Sequence, residues 1–164
     1  MSTFTVKNPR STITIILSIL VGQTIDDSRL VDVQIEKACV RVHLTPAAFR
    51  ILYILAAAAF EDRKNPNILP EYWSYRSTKV LAEFYAVIRK HRYELDEPVV
   101  RDHIRQIRRK VKQALGILAS AGVACDPEMR FIENDRGLGY RINPAVTVRV
   151  IDANDPDAPE PSRH

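Results

Sequence analysis

"VVRDHIRQIRRKVKQALGIL", Val99 to Leu118, carries Arg101, Arg105, Arg108, Arg109, Lys110 and Lys112 against a single acid, Asp102. At 100° per residue, Val100, Ile104, Ile107, Val111, Leu115 and Leu118 fall within about 80° of one another, which predicts a helix with one buried stripe. Arg101, Arg105, Arg108 and Lys112 form a second stripe beside it. Asp102, Gln106 and Arg109 lie farther round, and His103 and Lys110 take the remaining flank. A solvated helix usually mixes signs for pairing four residues apart, yet no Glu occurs between Val99 and Lys112. A membrane-surface helix would set Trp or Phe beside the cations, and a coiled coil would hold its apolar repeat over further heptads. The pattern favours cations set along an axis to meet phosphates, with a plain surface helix as the alternative.

Upstream, "LTPAAFRILYILAAAAF" opens a helix in which Thr45 can cap and Pro46 suits the first helical position. Phe49, Leu52, Tyr53, Ala56 and Phe60 recur at three- and four-residue steps, so one broad face should be buried. The linker 61–76 breaks it with prolines. A second helix is expected over about 77–90, with Val80, Leu81, Phe84, Val87 and Ile88 inward. After a loop, Asp96 or Glu97 with Pro98 starts the third helix, expected over 98–121. Ahead of all three, Thr12–Leu20 reads as a strand. Val31, Val33 and Ile35, then Val40, Val42 and Leu44, share faces of two runs that a hairpin joins, giving a small antiparallel sheet.

Downstream, "EMRFIENDRGLGYRINP" holds two alternating runs around a glycine-containing turn, a β-hairpin over 129–143. Its turn carries Asn134 and Arg136, with Gly137 and Gly139 permitting tight paths. An arginine on a thin two-stranded finger suits the minor groove, where narrow A·T tracts deepen the negative potential. By itself the hairpin could equally be an ordinary surface feature. Residues 1–10 read as a loose start, and the Pro/Asp-rich stretch past Val150 as disordered. The expected divisions are 1–29, an extension with one strand; 30–150, the main domain; and 151–164, an acidic tail. The class is α+β: sheet, three helices, hairpin.

The 164 residues, 46% hydrophobic and 27% charged, suit one globular domain, and a net charge of +4 says less than where the charge sits. Cys39 and Cys125 fit no CxxC spacing and are expected as small buried hydrophobes; the four histidines are scattered, so no metal is expected. Residues 11–22 are too short to span a bilayer and too β-branched for a signal peptide. There is no phosphate-binding glycine loop, no G-x-S-x-G elbow and no carboxylate pair at useful spacing, so neither an enzyme nor a cofactor is expected.

"LTPAAFRILYILA", "VVRDHIRQIRRKV" and "FIENDRGLGYRI", in this order, resemble three signature segments of the winged-helix DNA-binding (effector) domain of OmpR/PhoB-type response regulators. The likeness spans about residues 30 to 144. It implies a winged helix-turn-helix: a four-stranded N-terminal sheet, three helices and a C-terminal hairpin wing. The third helix would enter the major groove and the wing the minor groove, often in tandem dimers. Position by position, it implies phosphate contacts at Arg101, His103, Arg105 and Arg108, to which the wheel adds Arg109 and Lys112. Asp102 and Gln106 would face base edges, and Asn134 and Arg136 the minor groove. Gln106 could pair with the N6/N7 edge of adenine, and Asp102 could accept from cytosine N4. Ala48 stands where the family usually has Glu, the linker 61–76 is longer than typical, and no receiver domain is expected.

Two functions follow as expectations. One is a cytoplasmic, sequence-specific regulator of transcription acting on double-stranded DNA at the bacterial nucleoid, as a possible homodimer, with RNA polymerase or a separate regulatory protein as a further partner. The other is a protein-interaction module on the same scaffold, holding its partner through Tyr72, Trp73 and Tyr75 of the linker.

Overall fold

The computed structural model describes residues 3–8, 12–89 and 97–157, with the side chains of 84–89 set aside. In chain order these form β1 (Phe4–Val6), β2 (Ile13–Ile19), β3 (Leu30–Ile35), β4 (Ala38–His43), α1 (Pro46–Asp62), α2 (Thr78–Arg89), α3 (Glu97–Ser120), β5 (Ile132–Asp135), β6 (Gly139–Ile142) and β7 (Thr147–Asp152). The architecture is α+β. A five-stranded mixed sheet runs in the order β1-β7-β2-β3-β4, and β5 pairs with β6 in a separate two-stranded sheet.

Alternation writes the large sheet. In β2 the residues Ile13, Ile15, Leu17 and Ile19 face the core, and in β3 Val31, Val33 and Ile35 do the same. β3 and β4 close through Glu36 and Lys37, with Ile35 opposite Ala38. Glu36 takes a left-handed φ of 53°, as a two-residue hairpin demands. That register turns Cys39 outward beside Arg41 and His43, so Cys39 is exposed, while Cys125 is half-buried. The expectation of two buried cysteines is corrected accordingly.

Thr45 and Pro46 start α1 as expected: Thr45 Oγ1 accepts from the Ala48 N–H at 3.3 Å. The helix buries far more than one face, however. Phe49, Leu52 and Leu55 are fully buried, and so are Ile51 and Arg50 on other sides. The sheet covers one flank through β1 and β7, while α2 and α3 cover another. The Arg50 guanidinium is matched by Asp26, whose carboxylate lies 2.6 Å away on a 3-10 turn, Ile25–Asp27.

Both chain ends enter the sheet, which the expected divisions did not provide for. Residues 4–6 pair with β7 rather than starting loosely, and β7 runs parallel to β2 with Ile15 opposite Val148 and Leu17 opposite Val150. The sheet therefore has five strands where the resemblance implies four. Residues 151 and 152 belong to β7, and Asp155 accepts from the Thr3 N–H at 2.8 Å, so 151–157 is ordered by partners from the other end of the chain. A 1–29 extension is likewise no separate layer, because β2 lies at the centre of the sheet. The tail 158–164, the loop 91–96 with its cap candidate Asp96, and the inward side chains of Phe84, Val87 and Ile88 lie outside the described residues.

Candidate nucleic-acid interface

The buried side of α3 carries the expected stripe: Val100, Ile104, Ile107, Val111, Leu115 and Leu118 are 0–3% exposed. This seats the helix against α1, α2 and β4 and leaves its opposite side to solvent. Arg101, Asp102, Arg105, Arg109 and Lys112 are exposed there.

Their charge is less one-sided than the window Val99–Lys112 suggests. Arg101 pairs with Glu97 at 3.5 Å, Arg105 with Asp102 at 2.7 Å, and Lys112 with Glu128 at 3.0 Å. Glu97 precedes Arg101 by one helical turn and was legible from spacing. Glu128 reaches Lys112 only because the chain folds back after α3.

Of the residues expected to meet DNA, two are engaged elsewhere and a third is half-buried. The Arg108 guanidinium donates from Nε and Nη2 to the Ile132 carbonyl at 3.0 and 2.8 Å and lies 5.6 Å from the centre of the Tyr140 ring. It is half-buried, and burial pushes its pKa down, against a smaller raising influence of Tyr140. Arg108 thus ties α3 to the hairpin. Gln106 Oε1 accepts from the Thr45 backbone N–H at 3.3 Å and its hydroxyl at 3.0 Å, joining α3 to the start of α1. A glutamine so engaged does not present its acceptor to adenine. His103 is half-buried, and burial lowers its pKa despite the opposing charge of Asp102, which disfavours the charged ring that would attract phosphate.

The hairpin β5–β6 is anchored at its base. Tyr140 and Arg76 exchange backbone hydrogen bonds of 2.8 Å in each direction, so one linker residue adds a short third strand to the hairpin. Arg76 is held in turn by Asp62 through a two-point contact at 2.8 and 2.9 Å, and Asp62 also accepts from the Ser74 N–H at 2.8 Å. Burial would raise the Asp62 pKa, but the Arg76 hydrogen bonds and charge with the Ser74 N–H outweigh it, and the net shift is downward. Gly139, at φ 103°, passes so close to Arg76 that a Cβ there would collide with the Arg76 carbonyl and lie 2.7 Å from Ser77 Cα.

The far end of the hairpin is open. Asn134 and Arg136 are exposed, and a cleft of about 250 Å³ runs between them, Arg101 of α3 and Ser77 and Thr78 at the head of α2. Ser77 Oγ caps that helix by accepting from the Val80 N–H at 3.2 Å. The cations Arg101 and Arg136, from segments far apart in sequence, thereby border one opening.

The linker aromatics divide. Trp73 donates to the Ile68 carbonyl at 3.0 Å and faces Arg63 at 5.9 Å; Tyr75 lies 4.4 Å beneath Arg141, which pairs with Glu133 at 2.7 Å. Both organise the linker. Tyr72, 48% exposed, is the one that faces outward. Among the described residues no group of three His, Cys, Asp or Glu side chains could hold a metal ion, and no helix is long and apolar enough to cross a membrane. No family model matches the chain, and comparisons with curated proteins and with solved structures return no match.

Proposed function

We propose that this chain is a sequence-specific regulator that binds double-stranded DNA as a winged helix, with α3 in the major groove and the hairpin as the wing in the minor groove. The observation that carries the reading is the set of cations Arg101, Arg105, Arg109 and Lys112 exposed along α3, with Arg101 bordering the same cleft as Arg136 on the hairpin. An α-helix fits the major groove, and a guanidinium on a thin strand pair fits the minor groove. The carboxylates beside Arg101 and Lys112 are no obstacle, since exposed ion pairs contribute only about 0–1 kcal/mol and open readily toward phosphate. Copies on repeated half-sites, and contact with RNA polymerase or a separate regulator, belong to the same proposal.

Binding to labelled duplex across a salt series tests it. The logarithm of affinity should fall linearly with the logarithm of salt at a slope of about −0.9 per phosphate neutralised. Arg109→Ala and Arg136→Ala should each lessen the slope by roughly 1. Absence of binding at low ionic strength would overturn the proposal.

The partner-module reading rests on Leu69 and Tyr72, 58% and 48% exposed and joined by the Tyr72 N–H donating to the Leu69 carbonyl at 2.9 Å. A pull-down that fails in Tyr72→Ala yet survives Arg109→Ala would favour it.

A further inference from the structure

On the exposed side of α3, Arg105 Nη1 donates to Asp102 Oδ1 at 2.7 Å, with the two side chains 73% and 68% exposed. Neither makes another hydrogen bond among the described residues. Helix stability is a thin reason for the pair, because an exposed pair three residues apart contributes only about 0.2–0.5 kcal/mol. Phosphate binding does not account for it either, because the pair has to open before a phosphate can meet the full charge of Arg105.

For a guanidinium that reads a base, the same carboxylate is an asset. It removes rotamer freedom before binding and leaves the Nε and Nη2 hydrogens as a free fork, the donor arrangement that matches guanine O6 and N7. The second carboxylate oxygen, Oδ2, has its lone pairs open. It can accept from an exocyclic amino group, cytosine N4 or adenine N6, and it is repelled by the acceptor edges of thymine O4 and guanine O6.

We infer that Asp102 and Arg105 act as one specificity-determining unit, Arg105 reading a guanine and Asp102 positioning it while reading the amino group of a neighbouring base. This rests on the DNA-binding reading and changes its division of roles: Arg105 moves from phosphate to base, and Gln106, engaged at Thr45, leaves the base-reading set.

Selection of sites from a randomised duplex library tests the pair, using the wild type, Asp102→Ala and Arg105→Lys, each checked for an unchanged thermal unfolding midpoint. The wild type should enrich a guanine next to a cytosine or adenine. Arg105→Lys, which keeps the charge and loses the fork, should reduce preference for that guanine ~10-fold or more, a larger loss than any in its affinity for random duplex. Asp102→Ala should reduce the same preference, abolish selection at the neighbouring position and tighten binding to random duplex. A guanine preference unchanged in both variants, or a wild-type site without guanine, overturns the role of the pair while leaving DNA binding intact. A wild type that binds no duplex at low salt overturns the DNA-binding reading as well.

Discussion

Arg108 and His103 lie on opposite borders of the α3 packing stripe, and that position decides what they do. At 100° per residue Arg108 falls about 20° from Leu115, and His103 about 40° from Ile107, whereas Arg105 and Arg109 point nearly away from the core. The wheel therefore carried the information that Arg108 and His103 would be half-buried. The resemblance alone assigns His103 to phosphate, whereas Arg108 is also grouped with the cationic stripe, although it sits at that stripe's edge nearest the core. What the wheel could not carry is the partner: the Ile132 carbonyl reaches Arg108 only in the folded chain, and Thr45 meets Gln106 in the same way. Arg108→Ala should cost about 2 kcal/mol in urea denaturation, because the Ile132 carbonyl loses a charged donor. If the chain binds DNA as proposed, the affinity lost in Arg108→Ala should be recovered in part by Arg108→Lys, which can still donate; equal losses in the two variants would mean that Arg108 meets the ligand directly. At Asp62 the sign of the pH effect follows from its lowered pKa. Its contribution is complete above the ordinary carboxylate value of ~4 and disappears as pH falls through the lower folded-state value. Asp62→Asn should cost about 2 kcal/mol at pH 7, less than a fully buried pair because Arg76 still meets water, and the gap from wild type should narrow as pH falls below the ordinary carboxylate value of ~4. A gap that is constant with pH would place the loss in packing and not in charge.

The hairpin is the element whose placement depends most on one backbone contact. Strand alternation and turn glycines made β5 and β6 legible, but nothing in "NDRGLGYRI" tells which glycine is required. Gly137 has ordinary room, with only a side-chain oxygen of Asp135 near a Cβ at 3.6 Å, while Gly139 has none because the Arg76 backbone occupies the space. The requirement lies in the linker, more than sixty residues upstream, and so escapes any local pattern. Gly139→Ala should break the Arg76–Tyr140 pairing, expose Tyr140 and Arg76 amides to rapid hydrogen exchange, and destabilise the domain by more than the ~1 kcal/mol of an ordinary glycine substitution. Gly137→Ala should be near neutral. If the two variants exchange alike, the hairpin is not held by that contact. The third helix itself was read to within a residue or two of its observed ends, since its starting Glu97–Pro98 and its stripe are local properties of the chain.

At the scale of the whole molecule, the sheet joins residues separated by nearly the full length of the chain, and this is where sequence reading fell short. β7 has the same alternation as β2, with Val148 and Val150 buried and Thr147 and Arg149 turned the other way. Its neighbour along the sequence is an acidic, proline-rich stretch, and composition averaged over that region hid a six-residue strand. β1 is only three residues long and has no period to detect; Phe4 finds its place by stacking on Phe60 at 4.8 Å and by pairing with Val150. Because β7 lies between β1 and β2, it is an interior strand and its removal should not leave the rest of the fold intact. Val146, Val148 and Val150 are 0–2% exposed. At about 1.5–3 kcal/mol for each buried side chain of this size, their contribution approaches the 5–15 kcal/mol that holds a typical domain together. Deleting residues 146–157 should therefore abolish cooperative unfolding and the near-ultraviolet circular dichroism of the buried Tyr53. The double variant Val148→Ala and Val150→Ala, which keeps the backbone ladder, should unfold cooperatively at a midpoint lower by more than 10 °C, given ~2–4 °C per kcal/mol for a domain of this size. A deletion that still unfolded cooperatively near the wild-type midpoint would show β7 to be an appendage to a four-stranded fold. The proposed DNA binding by α3 should vanish with the deletion and persist, at temperatures below the midpoint, in the double variant, because no residue of β7 lies on the proposed binding surface.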